Sequence, residues 1–180
     1  MDEFELIKKY FQKLSDKNFN AKKLNDDVFF DKKNELVVSV DTYNEGVHFP
    51  NFKYPKLIIK KILRSSISDL ISKGVKPKYY FISSSGNKKN FTKKNLILIS
   101  KSLNQEQKKY NIKLSGGDTT YSKNVSFSIT CIGYSKKIIE RNKAKLNDDI
   151  YVTGNIGDAF VGIKVIKNNI KINSKLKKYF

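Results

Sequence analysis

Five aspartates stand where a chain of mixed strands and helices would gather a ligand. Asp26 and Asp27 precede the apolar run "VFF", Asp41 closes "VVSV", Asp69 lies within an apolar helical pattern, and Asp118 follows paired glycines in "SGGDTTY". Ligands of α/β proteins collect at the ends of elements, where loops converge over a fixed scaffold. Carboxylates drawn together repel unless a cation or proton compensates. Mg2+ suits such a set because it prefers hard oxygen ligands shared with substrate phosphates. Taken singly, the same residues are ordinary turn and cap formers. Asp69 fits that plainer reading least, since a helix interior is a poor place for aspartate.

Other residues could join a phosphate-handling site. Gly116 and Gly117 allow a turn with positive φ or a close backbone approach. His48, the only histidine, sits in the loop "NEGVHF" directly after the strand that ends at Asp41, and a surface role suits it as well. Arg141 is one of two arginines; its planar fork suits a bidentate phosphate contact, with a plain surface position as the alternative. One cysteine and one histidine exclude a zinc set of the usual kind. No GxxxxGK[ST] loop, GxGxxG fingerprint, kinase-type catalytic loop or nucleophile elbow is present. Cys131, inside "SFSITCIGY", reads as a strand-interior residue.

The elements that would position these residues follow from hydrophobic period. Phe4, Ile7, Tyr10, Phe11 and Leu14 share a helical face over residues 3–14. "DVFF" and "ELVVSVDTY" read as strands. A helix from Pro55 to about Lys73 should bury Leu57, Ile58, Ile62, Leu63, Ile67, Leu70 and Ile71, with Gly74 ending it. "KYYFISSSG" reads as a strand, and residues 92–110 as a helix with Leu96, Ile99 and Leu103 inward. "IKLSGGD" reads as a strand passing into a loop. "NVSFSITCIGY" alternates with period two, "DDIYVTG" reads as a further strand, and "IGDAFVGIKVIKN" as a helix. Strands and helices mix throughout, which defines an α/β (α+β) domain.

At 180 residues the chain suits one domain with a sizeable core. The formal net charge of +19 raises nucleic acid as a partner. However, 34 of the 36 cations are lysines spread along the whole chain, whereas specific readers favour arginine. A solvated lysine surface with no specific nucleic-acid partner is therefore expected. No apolar run approaches the roughly 20 residues that span a bilayer, and the acidic start lacks a secretory pattern, so no membrane association and a cytoplasmic location are expected.

Read in order, "EFELIKKYF", "NDDVFF", "VVSVDTYNEGVHF", "SSISDLISKGVKP", "LSGGDTT" and "RNKAKLNDDIYVTGNIGDA" resemble the thiamine-monophosphate kinase family. The match is collinear over nearly the whole chain. That family uses ATP and Mg2+ to convert thiamine monophosphate into thiamine diphosphate, within the superfamily of aminoimidazole ribonucleotide synthetase. The resemblance implies a PurM-like N-terminal domain, its mixed sheet packed with helices, that forms a homodimer through the sheet and is followed by a second α/β domain. On this basis residues 1–160 form the ATP- and Mg-binding domain, and residues 161–180 begin a connection to a C-terminal domain.

By the same resemblance, Asp27, Asp41, Asp69 and Asp118 are Mg2+ ligands, and Ser39 occupies another metal-associated position. Gly117, Asp118 and Arg141 contact ATP, and His48 meets the thiamine monophosphate substrate. No residue becomes a covalent nucleophile. Two departures stand out. The glycine-containing approach to the first acidic pair is replaced by "KKLNDD", and a usual threonine before Asp41 is Val40, which offers a metal only its backbone carbonyl. The alternative is a noncatalytic nucleotide-binding or dimerisation remnant of the same family.

Overall fold

The computed structural model describes residues 1–152, 154–166 and 170–173. They fall into two compact units, Met1–Lys143 and the segment from Ala144 onward. In the first unit, a helical run opens with α1 (Glu3–Leu6), capped by Asp2, which accepts from the Glu5 N–H at 2.8 Å while Glu5 bonds back to the Asp2 N–H. The run continues as a π-helical turn, Ile7–Phe11, and a 3-10 turn, Gln12–Ser15. Its expected apolar face is not covered: Phe4, Tyr10, Phe11 and Leu14 are all exposed.

Strands β1 (Phe29–Asp31), β2 (Leu36–Asn44), β3 (Pro77–Gly86), β4 (Lys113–Tyr121) and β5 (Ser126–Tyr134) form one mixed sheet in the order β1-β2-β5-β3-β4. Only β3 and β4 run parallel; the other pairs are antiparallel. Helix α2 (Pro55–Ser72) packs on β2 and β5, and α3 (Lys93–Tyr110) packs on α2. Pro55 starts α2 where its missing N–H is harmless. Ile58, Ile59, Ile62, Leu63, Ile67 and Leu70 then recur at helical spacing and are buried. Leu57 and Ile71, expected inward, lie off this stripe and are 60% and 50% exposed. Leu96 of α3 is likewise exposed, because α3 is held through Ser102, Leu103 and Glu106, with Glu106 paired to Arg64 of α2 at 2.7 and 3.0 Å.

The helices cover one sheet face, which supplies Val37, Tyr43, Tyr80, Phe127, Ile129 and Cys131 to the core. They touch β4 only near its start, where Gln107 Oε1 of α3 accepts the Leu114 N–H at 2.7 Å, and leave every residue of that strand exposed. "SGGDTTY" also corrects the expectation of a loop: the strand continues through it to Tyr121. The glycines serve that pairing, since a Cβ on Gly117 would lie 1.9 Å from the Ile82 carbonyl oxygen. The close approach is therefore to the neighbouring strand.

In the second unit, the described residues of "DDIYVTG" form no strand, and Ile150 and Tyr151 are almost fully exposed. A short run of strand-favouring residues does not make a strand without an edge to pair with. Helix α4 (Asp158–Ile166) follows as expected, with Asp158 in its first turn accepting from Asn155 Nδ2 at 3.1 Å. None of the helices described is long and apolar enough to cross a membrane.

Candidate metal and nucleotide site

The acidic pair is delivered by an unusual turn. Lys22, Lys23 and Leu24 hold φ of 53°, 56° and 55°, left-handed values that glycine accepts and L side chains resist. The chain then turns Asp26 and Asp27 toward Lys73, the residue just past α2. Gly74, at φ 72°, closes that helix end, with Gly74 N–H bonded to the Ile71 carbonyl and Val75 N–H to that of Leu70. Lys73 Nζ lies 2.5 Å from Asp26 and 2.9 Å from Asp27, and its side chain is 5% exposed. Arg141 completes the group: its guanidinium pairs with Asp27, its N–H reaches Asp26 at 3.4 Å, and it sits over the Phe4 ring. Burial acts to raise the Asp26 pKa. Hydrogen bonds from Lys73, then from the Asp27 and Arg141 N–H groups, outweigh it and hold this carboxyl below its ordinary value.

Asp41 and Asp69 lie beside this pair and lack such cover. Asp69 falls in the last turn of α2 rather than mid-helix, where the negative end of the helix dipole adds to the disfavour. Burial first, then the charges of Asp41 and Asp27, push its pKa up to about 6 against Lys73 and Arg141. Among the described residues its carboxylate has no hydrogen bond or ion pair. Asp41 accepts from Tyr43 Oη at 2.8 Å, and that hydroxyl also meets Ser66 Oγ at 2.9 Å. Burial, foremost, pushes Tyr43 up to about 12, so it stays a donor. The Tyr43 ring meets His48 edge-on at 5.5 Å, and Nδ1 of His48 accepts the Asn44 N–H at 2.9 Å, which leaves the proton on Nε2. Cys131, under the same sheet face, is pushed up to about 12 by burial, then by Asp41 and Asp69, and stays a neutral thiol.

These observations bear on a metal. Hard oxygens predominate, two carboxylates are uncompensated, and Ser39 Oγ is buried with no hydrogen-bond partner among the described residues. A divalent cation suits that chemistry. An open cavity of about 460 Å³ lies alongside, lined by Ile7, Phe11, Leu24, Asp26, Asp27 and Ser39 among others. Yet no three His, Cys, Asp or Glu side chains of the described residues gather around one metal position as they stand.

Of the residues singled out by sequence, Asp27, Asp41, Asp69 and Arg141 come together, with Ser39 on the same face of β2 and His48 linked through Tyr43. Gly117 and Asp118 do not join them. Asp118 pairs with Ser83 in the register of β4 on β3, and the contact of Thr119 Oγ1 with Ser84 Oγ at 3.3 Å fixes Asp118 on the opposite, helix-free face. Its carboxylate accepts the Thr119 N–H at 2.7 Å. Lys73 was missed, because lysine is so abundant here that each one reads as solvated. Its position just before a helix-ending glycine was the available signal.

A five-stranded mixed sheet with an acidic cluster at one helix end defines the class, and comparison with known proteins agrees. Residues 25–135 match the family described as AIR synthase related protein, N-terminal domain, and the chain belongs to that family. More particularly, it is similar to thiamine-monophosphate kinases: 36% identical to that of Buchnera aphidicola subsp. Acyrthosiphon pisum over 98% of this chain, and 35% identical to that of Haemophilus influenzae over 92%. It spans 56% and 52% of those proteins. The solved structure described as AaThiL complexed with AMPPCP and TMP superposes with a TM-score of 0.82 at 24% identity, covering 97% of this chain and 55% of that one, a likeness of fold.

Proposed function

We propose that this chain provides the metal- and nucleotide-binding half of a cytoplasmic, homodimeric kinase that phosphorylates thiamine monophosphate to thiamine diphosphate with ATP, its residues 161–180 leading to a second domain. The observation that carries the reading is the gathering of Asp27, Asp41 and Asp69, with Asp69 uncompensated, at the end of α2 in a chain collinear with such kinases. Mg2+ ions held by Asp27, Asp41, Asp69, Ser39 and Asp118 would neutralise charge between the two phosphate-bearing substrates. The chain's own groups bind and orient. Arg141 exchanges Asp27 for a phosphate of ATP, Gly117 and Asp118 contact the nucleotide, and His48 donates from Nε2 to the thiamine phosphate. An oxygen of that phosphate attacks the γ-phosphorus in line and ADP leaves, so no side chain need become a nucleophile.

The test is ATP-dependent formation of thiamine diphosphate by this chain, alone and supplied with the C-terminal half of a full-length kinase. Product in either preparation, lost in Asp41→Asn, is the expected result. A noncatalytic role wins if neither preparation turns over while the intact relative does.

A further inference from the structure

One buried side chain touches both the proposed metal site and the proposed substrate contact. Tyr43 stands two residues beyond Asp41 on β2, so both side chains leave the strand on its helix-covered face. Its hydroxyl donates its single proton to Asp41 Oδ2 at 2.8 Å. The contact with Ser66 Oγ at 2.9 Å must then run the other way, Ser66 donating to Tyr43 Oη. Ser66 is buried on α2 and precedes Asp69 on the same helix. A relay from Ser66 through Tyr43 to Asp41 therefore ties the helix that carries Asp69 to the strand that carries Asp41. The Tyr43 ring also meets the His48 imidazole edge-on, and Nδ1 of that imidazole is held by the N–H of Asn44, the next residue along.

We propose that Tyr43 is a positioning residue of this site: its hydroxyl holds Asp41 Oδ2 and leaves Oδ1 to a divalent cation, while its ring seats the imidazole of His48. This deepens, and rests on, the reading of Asp41 as a metal ligand and of His48 as the substrate contact. Phenylalanine would fill the same space in the core, and a buried hydroxyl costs free energy unless it is hydrogen-bonded. Here both of its partners belong to the two elements that carry the uncompensated carboxylates. Asp41 Oδ1 accepts no hydrogen bond among the described residues, so fixing Oδ2 fixes the direction of the oxygen that remains. Groups that orient a metal-bound carboxylate in this way set its affinity as well as its geometry.

Two readouts test this: Mn2+ titration of the chain followed by electron paramagnetic resonance, and the ring-nitrogen NMR signals of His48, the only histidine. Tyr43→Phe keeps the ring, so it should weaken Mn2+ binding roughly tenfold and leave the metal-free His48 signals in place. Tyr43→Leu should lose Mn2+ affinity equally and also shift those signals. Tyr80 supplies the control, being equally buried on the neighbouring β3 with a hydroxyl that has no partner among the described residues. Tyr80→Phe should change neither readout. Native Mn2+ affinity in Tyr43→Phe, or an equal loss in Tyr80→Phe, overturns the role of the hydroxyl. Unmoved His48 signals in Tyr43→Leu overturn that of the ring. If Tyr43→Phe does not fold, Ser66→Ala decides, since it breaks the relay and leaves Tyr43 in place: a weaker Mn2+ site supports the proposal and native affinity overturns it. Asp41→Asn is the reference. Its loss of Mn2+ sites shows that a failure lies with Tyr43, whereas unchanged binding there overturns the ligand reading and the proposal with it.

Discussion

Substituting Asp69 by asparagine should make the metal-free protein more stable, but only above a certain pH. The carboxyl has an ordinary value of 3.8 and is pushed up to about 6 in the folded chain by burial, then by Asp41 and Asp27. Because the folded-state value lies above the unfolded one, the neutral form favours folding below about pH 4, and that support is lost as pH rises through 6. At about 1.4 kcal/mol per pH unit the ceiling is near 3 kcal/mol, and partial exposure of Asp69 reduces the expected effect to about 1–2 kcal/mol. The asparagine removes the charge and keeps the shape. At pH 8 without divalent metal, Asp69→Asn should therefore raise the thermal midpoint by roughly 2–8 °C, with the gain fading toward pH 4. Adding Mg2+ at pH 8 should raise the midpoint of the native protein and leave that of the variant nearly unmoved, since a ligand stabilises only the state that binds it. Circular dichroism melts across pH, with EDTA and with Mg2+, give all four values. A gain over the native protein no larger at pH 8 than at pH 4, or a variant raised by Mg2+ as much as the native protein, would refute the reasoning.

Other perturbations test the supports of the site. Lys73→Met leaves Asp26 buried without its cation and should cost about 3–5 kcal/mol, read as a lower urea midpoint. Lys23→Gly relieves left-handed backbone at an exposed position and should stabilise by a few tenths to about 1 kcal/mol, the gain reduced by the greater freedom of unfolded glycine. Gly117→Ala drives a methyl into the Ile82 carbonyl; loss of amide-exchange protection confined to β4 and the facing edge of β3 is expected, while α2 keeps its protection.

Much of the fold was legible because its elements carry strong periodic signals. The α2 stripe from Ile58 to Leu70 and the alternation from Val125 to Cys131 leave few alternatives to a buried helix and a half-buried strand. The misreadings have separate physical causes. Glycines, serines and threonines in "SGGDTTY" suggest a loop, yet an edge strand exposed on both faces needs no apolar alternation, and Gly117 is required by the closeness of Ile82. In "DDIYVTG" the consecutive residues Ile150, Tyr151 and Val152 favour a strand by type, but the described residues of the segment find no edge to join. Leu57 and Ile71 belong to the apolar content of α2 but not to its inward stripe. The site was legible in part: aspartates beside apolar strands pointed to Asp27 and Asp41, and an aspartate within an apolar helical pattern to Asp69. The faces of the sheet, which separate Asp118 from them, follow only from strand order and register.

The central claim is that these carboxylates form a site for a metal-bound nucleotide, and calorimetric titration of the chain with a nonhydrolysable ATP analogue addresses it most directly. Binding is predicted in the presence of Mg2+, loss of at least tenfold in affinity when EDTA replaces it, and the same loss in Asp41→Asn with Mg2+ present. Affinity unchanged by EDTA or by the substitution would contradict the account.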